Sequence, residues 1–255
     1  IFLIPLLSFG QSQLNSFYIG DPLPDAPKLS ERGNFKVGVK TIKVVNPHQI
    51  DILSSSKEKT VLYDRSLTLE IWYPASLEND EKEEVVYDQV MGDFTVSMRP
   101  IIPFKFKGRA SRDAATDSSK GPYPLVIVSH GYPGSRLMLS YLTENLASKG
   151  YVVVSIDHTD STFQDATNII STFLNRSLDD LFVLNEIARL SSDSSSFLMG
   201  LVNFDNSGLI GYSMGGFGAI NIAGGGYSDQ AVKLFNAFSN GNNALEKRKI
   251  GNPDY

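Results

Sequence analysis

Residues 208–224 read GLIGYSMGGFGAINIAG, and Ser213 stands between Gly211 and Gly215 at the end of an apolar run. This G-x-S-x-G spacing suits a serine hydroxyl raised on a sharp strand-to-helix turn. Side chains two residues away would crowd that turn, so glycine occupies both positions. Such a hydroxyl can attack a carbonyl carbon, and the first amides of the following helix face the oxyanion that forms, with the amide of Met214 as one expected donor. A second glycine-rich stretch, SHGYPGSR at 129–136, also follows an apolar strand and can aim the amide of Tyr132 at the same anion.

A hydroxyl is a weak nucleophile until a base takes its proton. The three histidines, His48, His130 and His158, all precede Ser213. His130 lies inside the glycine loop and is expected to shape it, not to move a proton. His158 follows the strand YVVVSID at the edge where Ser213 should emerge. It reads as a loop histidine bonding backbone groups of DHTDST, with a substitute base as the alternative. His48, in the turn NPHQ, is expected at the surface.

The elements that must hold these residues show in the hydrophobic periods. FKVGVKTIKVV and SLTLEIWYPA alternate apolar with polar residues and predict an antiparallel pair of half-buried strands. The acidic run LENDEKEEVVYD, 77–88, predicts a solvated loop or exposed helix, and 91–122 reads as a long irregular insertion. From Pro124 onward the pattern becomes apolar strands alternating with amphipathic helices, the mark of a parallel sheet covered on both faces. PLVIVSH, YVVVSIDH and SGLIGY are its strands. Leu139, Leu142 and Leu146 mark one helix, closed by Gly150, and Ile170, Leu174, Leu178, Leu181, Leu184 and Ile187 mark a longer one.

Together these segments resemble the α/β-hydrolases, and within them the secreted serine esterases similar to platelet-activating factor acetylhydrolase and dienelactone hydrolase. The likeness is carried by DRSLTLEIWYPA, RDA at 112–114, GPYPLVIVSHGYPGSR, YLTENLASKGYVVVSIDHTDST and GLIGYSMGG. It implies an α/β fold whose sheet is mostly parallel with an antiparallel N-terminal strand pair. It also implies Ser213 as nucleophile, an oxyanion hole from the amides of Tyr132 and Met214, and hydrolysis of a small or short-acyl carboxylic ester through an acyl-enzyme. No cofactor and no metal are implied.

The departure from the family is equally plain. In this fold the triad acid and histidine follow the serine along the chain, yet the residues after Ser213 contain no histidine. Their aspartates, Asp229 and Asp254, follow no strand, and neither is expected to be the acid. Either the chain is cut short after the nucleophile helix, so that it would be nearly inactive as given, or the triad has been abandoned and the fold serves binding. A peptidase or a polyester hydrolase on the same scaffold is a further alternative.

The net charge of -5 and the lack of a basic block longer than EKRK argue against nucleic acid or an anionic membrane as partner. The opening IFLIPLLSFG is too short to span a bilayer and, with Ser8 and Gly10 placed as a signal peptidase reads them, looks like the remnant of a signal peptide. The expected organisation is that remnant over 1–10, an extended lead-in over 11–34 and an incomplete hydrolase domain over 35–255, in a secreted or periplasmic protein.

Overall fold

The computed structural model describes residues 18–21, 25–92 and 98–250; the apolar start 1–10 and Asp254 lie outside the described residues. The antiparallel pair forms as β1 (Lys36–Ile50) and β2 (Leu62–Ser76). The hairpin β3 (Val85–Met91) and β4 (Ile102–Gly108) follows, then two short strands, β5 (Ser111–Arg112) and β6 (Ala115–Thr116). Next come β7 (Tyr123–Ser129), α1 (Ser140–Ser148), β8 (Val152–Asp157), α2 (Ile169–Ser191), β9 (Val202–Gly211), α3 (Met214–Ile222) and α4 (Asp229–Phe238). The main sheet has the order β5-β1-β2-β8-β7-β9, with β6 beside β2.

β7 pairs in parallel with both β8 and β9, while β2 runs antiparallel to β8. The mostly parallel sheet with an antiparallel N-terminal pair is therefore present. Alternation along the strands separates two cores. Val152, Val154 and Ile156 face Val183 and Ile187 of α2, whereas Val153 joins Val126, Val128 and Ala147 on the α1 side. β9 forms one edge of the sheet among the described residues, and 205–208 are exposed along it. No helix among the described residues is long and apolar enough to cross a membrane.

Two expectations need correction. The segment read as irregular from Met91 contains most of a β-hairpin, and the acidic run ends inside β3 instead of forming a loop throughout. That hairpin is pinned to the sheet through Tyr87. Its hydroxyl accepts from Trp72 Nε1 at 2.7 Å and donates to Glu144 Oε1 at 2.7 Å, deep enough that burial pushes the Glu144 carboxyl up. The second correction concerns α2: Leu181 is exposed, and the buried face includes Asn175, Arg176, Asp179 and Asp180 beside Ile170, Leu174, Val183 and Ile187.

The three parallel strands end level with one another, because Ser129 registers with Ile156 on one side and Gly211 on the other. His130, His158 and Ser213 thus leave the sheet at one edge.

Candidate active site

The pairing of β7 with β9 carries on one residue past Gly211, where the Tyr212 amide donates to the Ser129 carbonyl at 3.0 Å. There the chain reverses. Ser213 adopts φ 52° and ψ −114°, a region that L-residues occupy only under strain of about 1–3 kcal/mol. Bonds from Gly215 N to Tyr212 O (2.8 Å) and from Phe217 N to Ser213 O (3.1 Å) start α3 at once. The turn closes only because side chains are absent: a Cβ on Gly215 would land on the Ser129 carbonyl, and one on Gly211 on the Gly215 carbonyl. Ser213 itself is exposed.

The loop 130–136 flanks this serine. A Cβ on Gly131 would stand 3.4 Å from Ser213 Cβ and 3.3 Å from the Tyr212 ring, so the structure brings Ser213, Met214 and the Gly131–Tyr132 turn together. The loop is held from below. His130 Nδ1 donates to Gly131 O at 2.6 Å, and His130 Nε2 accepts the His158 amide at 3.4 Å, which assigns the proton to Nδ1. Arg176, reaching up from α2, donates to His130 O at 2.8 Å and to Gly131 O at 3.4 Å. Burial, with the nearby Arg176 charge, keeps the His130 imidazole far below its ordinary value and therefore neutral. Arg136 anchors the far end of the loop to Glu70 at 2.9 Å and to Asp157.

His158 departs from the sequence reading. Its ring bonds side chains, not the backbone of its own loop: Nε2 accepts from the Ser129 hydroxyl at 2.9 Å, and Nδ1 donates to Asp179 Oδ2 at 3.0 Å. Arg65 completes the chain, donating to Asp179 from Nε at 2.7 Å and from Nη2 at 2.9 Å. The order Ser, His, Asp is that of a catalytic relay, yet Ser129, His158 and Asp179 are all buried and no substrate can reach them. Burial pushes His158 down to about 3. Asp179 sits at about 2, because the Arg65 charge and the bonds it accepts from His158 and Arg65 outweigh its burial. The relay is neutral imidazole against an ionised carboxylate, a structural lock beneath the elbow.

The sequence reading missed this lock. Its signal was present: Arg176, Asp179 and Asp180 share α2 with the apolar stripe and lie on the side that α2 buries. Asp180 stands 3.5 Å from His158 Nε2, and neither carboxyl oxygen has a hydrogen-bond partner among the described residues. Burial pushes it up to about 8 from 3.8. Between those values the folded protein holds a proton that the unfolded chain has lost. The group's contribution to stability is thus full below pH 3.8 and is lost as pH rises through about 8. Asp180→Asn, a neutral isostere, is expected to flatten the decline of Tm across that range; an equally steep decline in the variant would show that other groups cause it.

The other sequence candidates lie elsewhere. His48 is exposed at the irregularity in β1, and Asp229 is an exposed partner of Lys249 at 2.8 Å.

A mostly parallel sheet, helices on both faces and an exposed serine on a strand-turn-helix elbow define the α/β-hydrolase fold. A ferulic acid esterase from Streptomyces cinnamoneus shares it, with a TM-score of 0.52 over 74% of this chain and 55% of that one at 24% identity. The PET hydrolase-like (PETase) family model matches residues 81–237, more than half of the chain, and the chain belongs to that family. Cutinase 2 of Thermobifida cellulosilytica is 30% identical over 132 residues, covering 52% of this chain and 46% of the relative. Cutinase cut1 of Thermobifida fusca is 30% identical over the same length, covering 38% of that relative. The chain thus spans less than half the length of these curated relatives. The finer likeness to platelet-activating factor acetylhydrolase and dienelactone hydrolase gains no support from these matches.

Proposed function

We propose that the protein is a secreted serine hydrolase of carboxylic esters with Ser213 as nucleophile. The observation that carries the reading is the exposed serine at φ 52° on a glycine-cleared turn, backed by the Gly131 loop. The Ser213 oxygen attacks the ester carbonyl, the tetrahedral intermediate expels the alcohol, and water then releases the acid from the acyl-enzyme. The oxyanion is received by the amides of Met214 and Tyr132. The trans peptide between Gly131 and Tyr132 gives the second its direction: His130 and Arg176 hold the Gly131 carbonyl toward the interior, and the Tyr132 N–H leaves the same plane on the opposite side.

None of the three histidines serves as the base. His48 lies away at the surface of β1, and both ring nitrogens of His130 and of His158 are engaged in the buried network. Secretion rests on the apolar start and the small residues Ser8 and Gly10, and the lead-in 11–34 then precedes the hydrolase domain.

Membership of the PET hydrolase-like family favours a second substrate on the same machinery, an aromatic polyester. A panel of p-nitrophenyl esters, a short-chain phospholipid, polyester film and a peptide amide, tested on the natural full-length protein, checks both readings. Ester turnover with no amide cleavage is expected. Turnover of the amide alone, or of nothing in the panel, would overturn the proposal.

A further inference from the structure

The chain after α3 builds a small cap at the edge where Ser213 emerges. α4 and the segment behind it lean on the tip of the β1–β2 hairpin, with Lys57 N donating to Asn240 O at 3.0 Å and Asn242 Nδ2 to Ser56 O at 3.2 Å. Ile52 from that tip packs with Val232, Phe235 and Leu245 in a core separate from the two that cover the sheet. Between this cap, the first turn of α2 and the flank of α3 lies a cavity of about 390 Å³.

Its walls include Phe173, Phe217, Ala231, Leu234, Phe235 and Phe238, and no charged side chain lines it among the described residues. The two polar residues in the wall are hydrogen-bonded within the protein: Asn168 caps the Ile170 amide at 3.0 Å, and the Tyr227 hydroxyl donates to Phe173 O at 2.6 Å. Phe217 and Tyr227 meet edge-on at 5.6 Å, and Phe217 meets Phe173 likewise at 5.5 Å, so the floor is already packed. At the rim, Leu234 and Phe238 are 53% and 68% exposed, while Val232 and Phe235 of the same helix are buried. Phe217 is one helical turn beyond Ser213, on the same side of α3.

We infer that this cavity binds the alkyl chain of a neutral ester, with the chain entering from an acyl group carried on Ser213. The inference rests on the Ser213 reading and deepens it by naming the acyl class. An apolar cavity of about 150 Å³ takes up benzene, so this one accommodates a chain of roughly eight to twelve carbons. The uncharged walls exclude a free fatty acid carboxylate from the interior and suit hydrocarbon alone. Each methylene buried there is worth about fourfold in affinity.

The test has one arm independent of chemistry. Binding of 1-octanol to the full-length protein, followed by calorimetry, is expected to weaken at least tenfold in Leu234→Lys and in Phe238→Lys. Both positions are exposed, so these variants should fold. In parallel, the ratio of kcat/KM for p-nitrophenyl octanoate to that for the acetate is expected to fall at least tenfold. Octanol binding that depends on Leu234 in a protein that hydrolyses neither ester would support the cavity and overturn the Ser213 reading. Hydrolysis of both esters with no octanol uptake and an unchanged ratio would overturn the cavity and keep Ser213. A cavity occupied instead by another segment or a second copy would likewise take up no octanol, and the inference would fail.

Discussion

Ser213→Ala is expected to lower ester hydrolysis by about a thousandfold or more and to leave Tm almost unchanged. The attacking oxygen disappears, and what remains is the modest rate that oxyanion donors and substrate binding supply alone. The side chain is exposed, so its loss opens no cavity and strands no buried group. Ser129→Ala is the informative contrast. It removes the hydroxyl that donates to His158 Nε2 at 2.9 Å inside the buried relay, leaving an acceptor without its partner. That loss costs about 1–3 kcal/mol of stability. On the proposed mechanism Ser213 governs chemistry and Ser129 governs the fold, and a variant pair showing the reverse would exchange their roles.

Gly215→Ala is expected to be strongly damaging for a single added methyl. The added carbon would meet the carbonyls of Ser129 and His130, which are backbone atoms tied into β7 and the Arg176 network. A flexible side chain could swing aside; a strand end and its loop must move together. Overpacking of this kind costs about 3 kcal/mol or more, equivalent to a fall in Tm of roughly 6–12 °C for a domain of this size. Because the displaced backbone is the platform of Ser213, activity should fall further than the unfolded fraction accounts for. A folded Gly215→Ala protein with parental Tm and parental turnover would refute this account of the turn. Calorimetry and turnover on the same preparation decide it.

The parallel half of the fold was legible because its strands are continuous apolar runs and its turns carry glycine where the backbone approaches closely. Gly211 and Gly215 were read from their spacing alone, and the structure shows the carbonyls they make room for. The β3–β4 hairpin was not legible. Its strands are short, Val86 and Ile102 point to solvent, and the period of two that marks β1 and β2 is too weak there.

The buried relay was hidden for a different reason. His158 and Asp179 are 21 residues apart in sequence, and Arg65 is 114 from Asp179, so no local pattern connects them. Hydrophobic periodicity assigns the inner face of α2 to its leucines, but the helix rotates to bury Arg176, Asp179 and Asp180 among them and to expose Leu181. Ion pairing satisfied across the sheet can place charge where a sequence pattern places hydrocarbon. Asp180, whose carboxyl oxygens have no hydrogen-bond partner among the described residues, is held neutral by its burial.

The proposed nucleophile is one exposed hydroxyl, that of Ser213 at the end of β9. The most direct measurement is to react the natural full-length protein with a fluorophosphonate and locate the adduct by peptide mass spectrometry. A single adduct on Ser213, absent from Ser213→Ala and retained in folded Ser129→Ala, is the expected result. Label on Ser129, or no label on a folded protein that still hydrolyses esters, would contradict it.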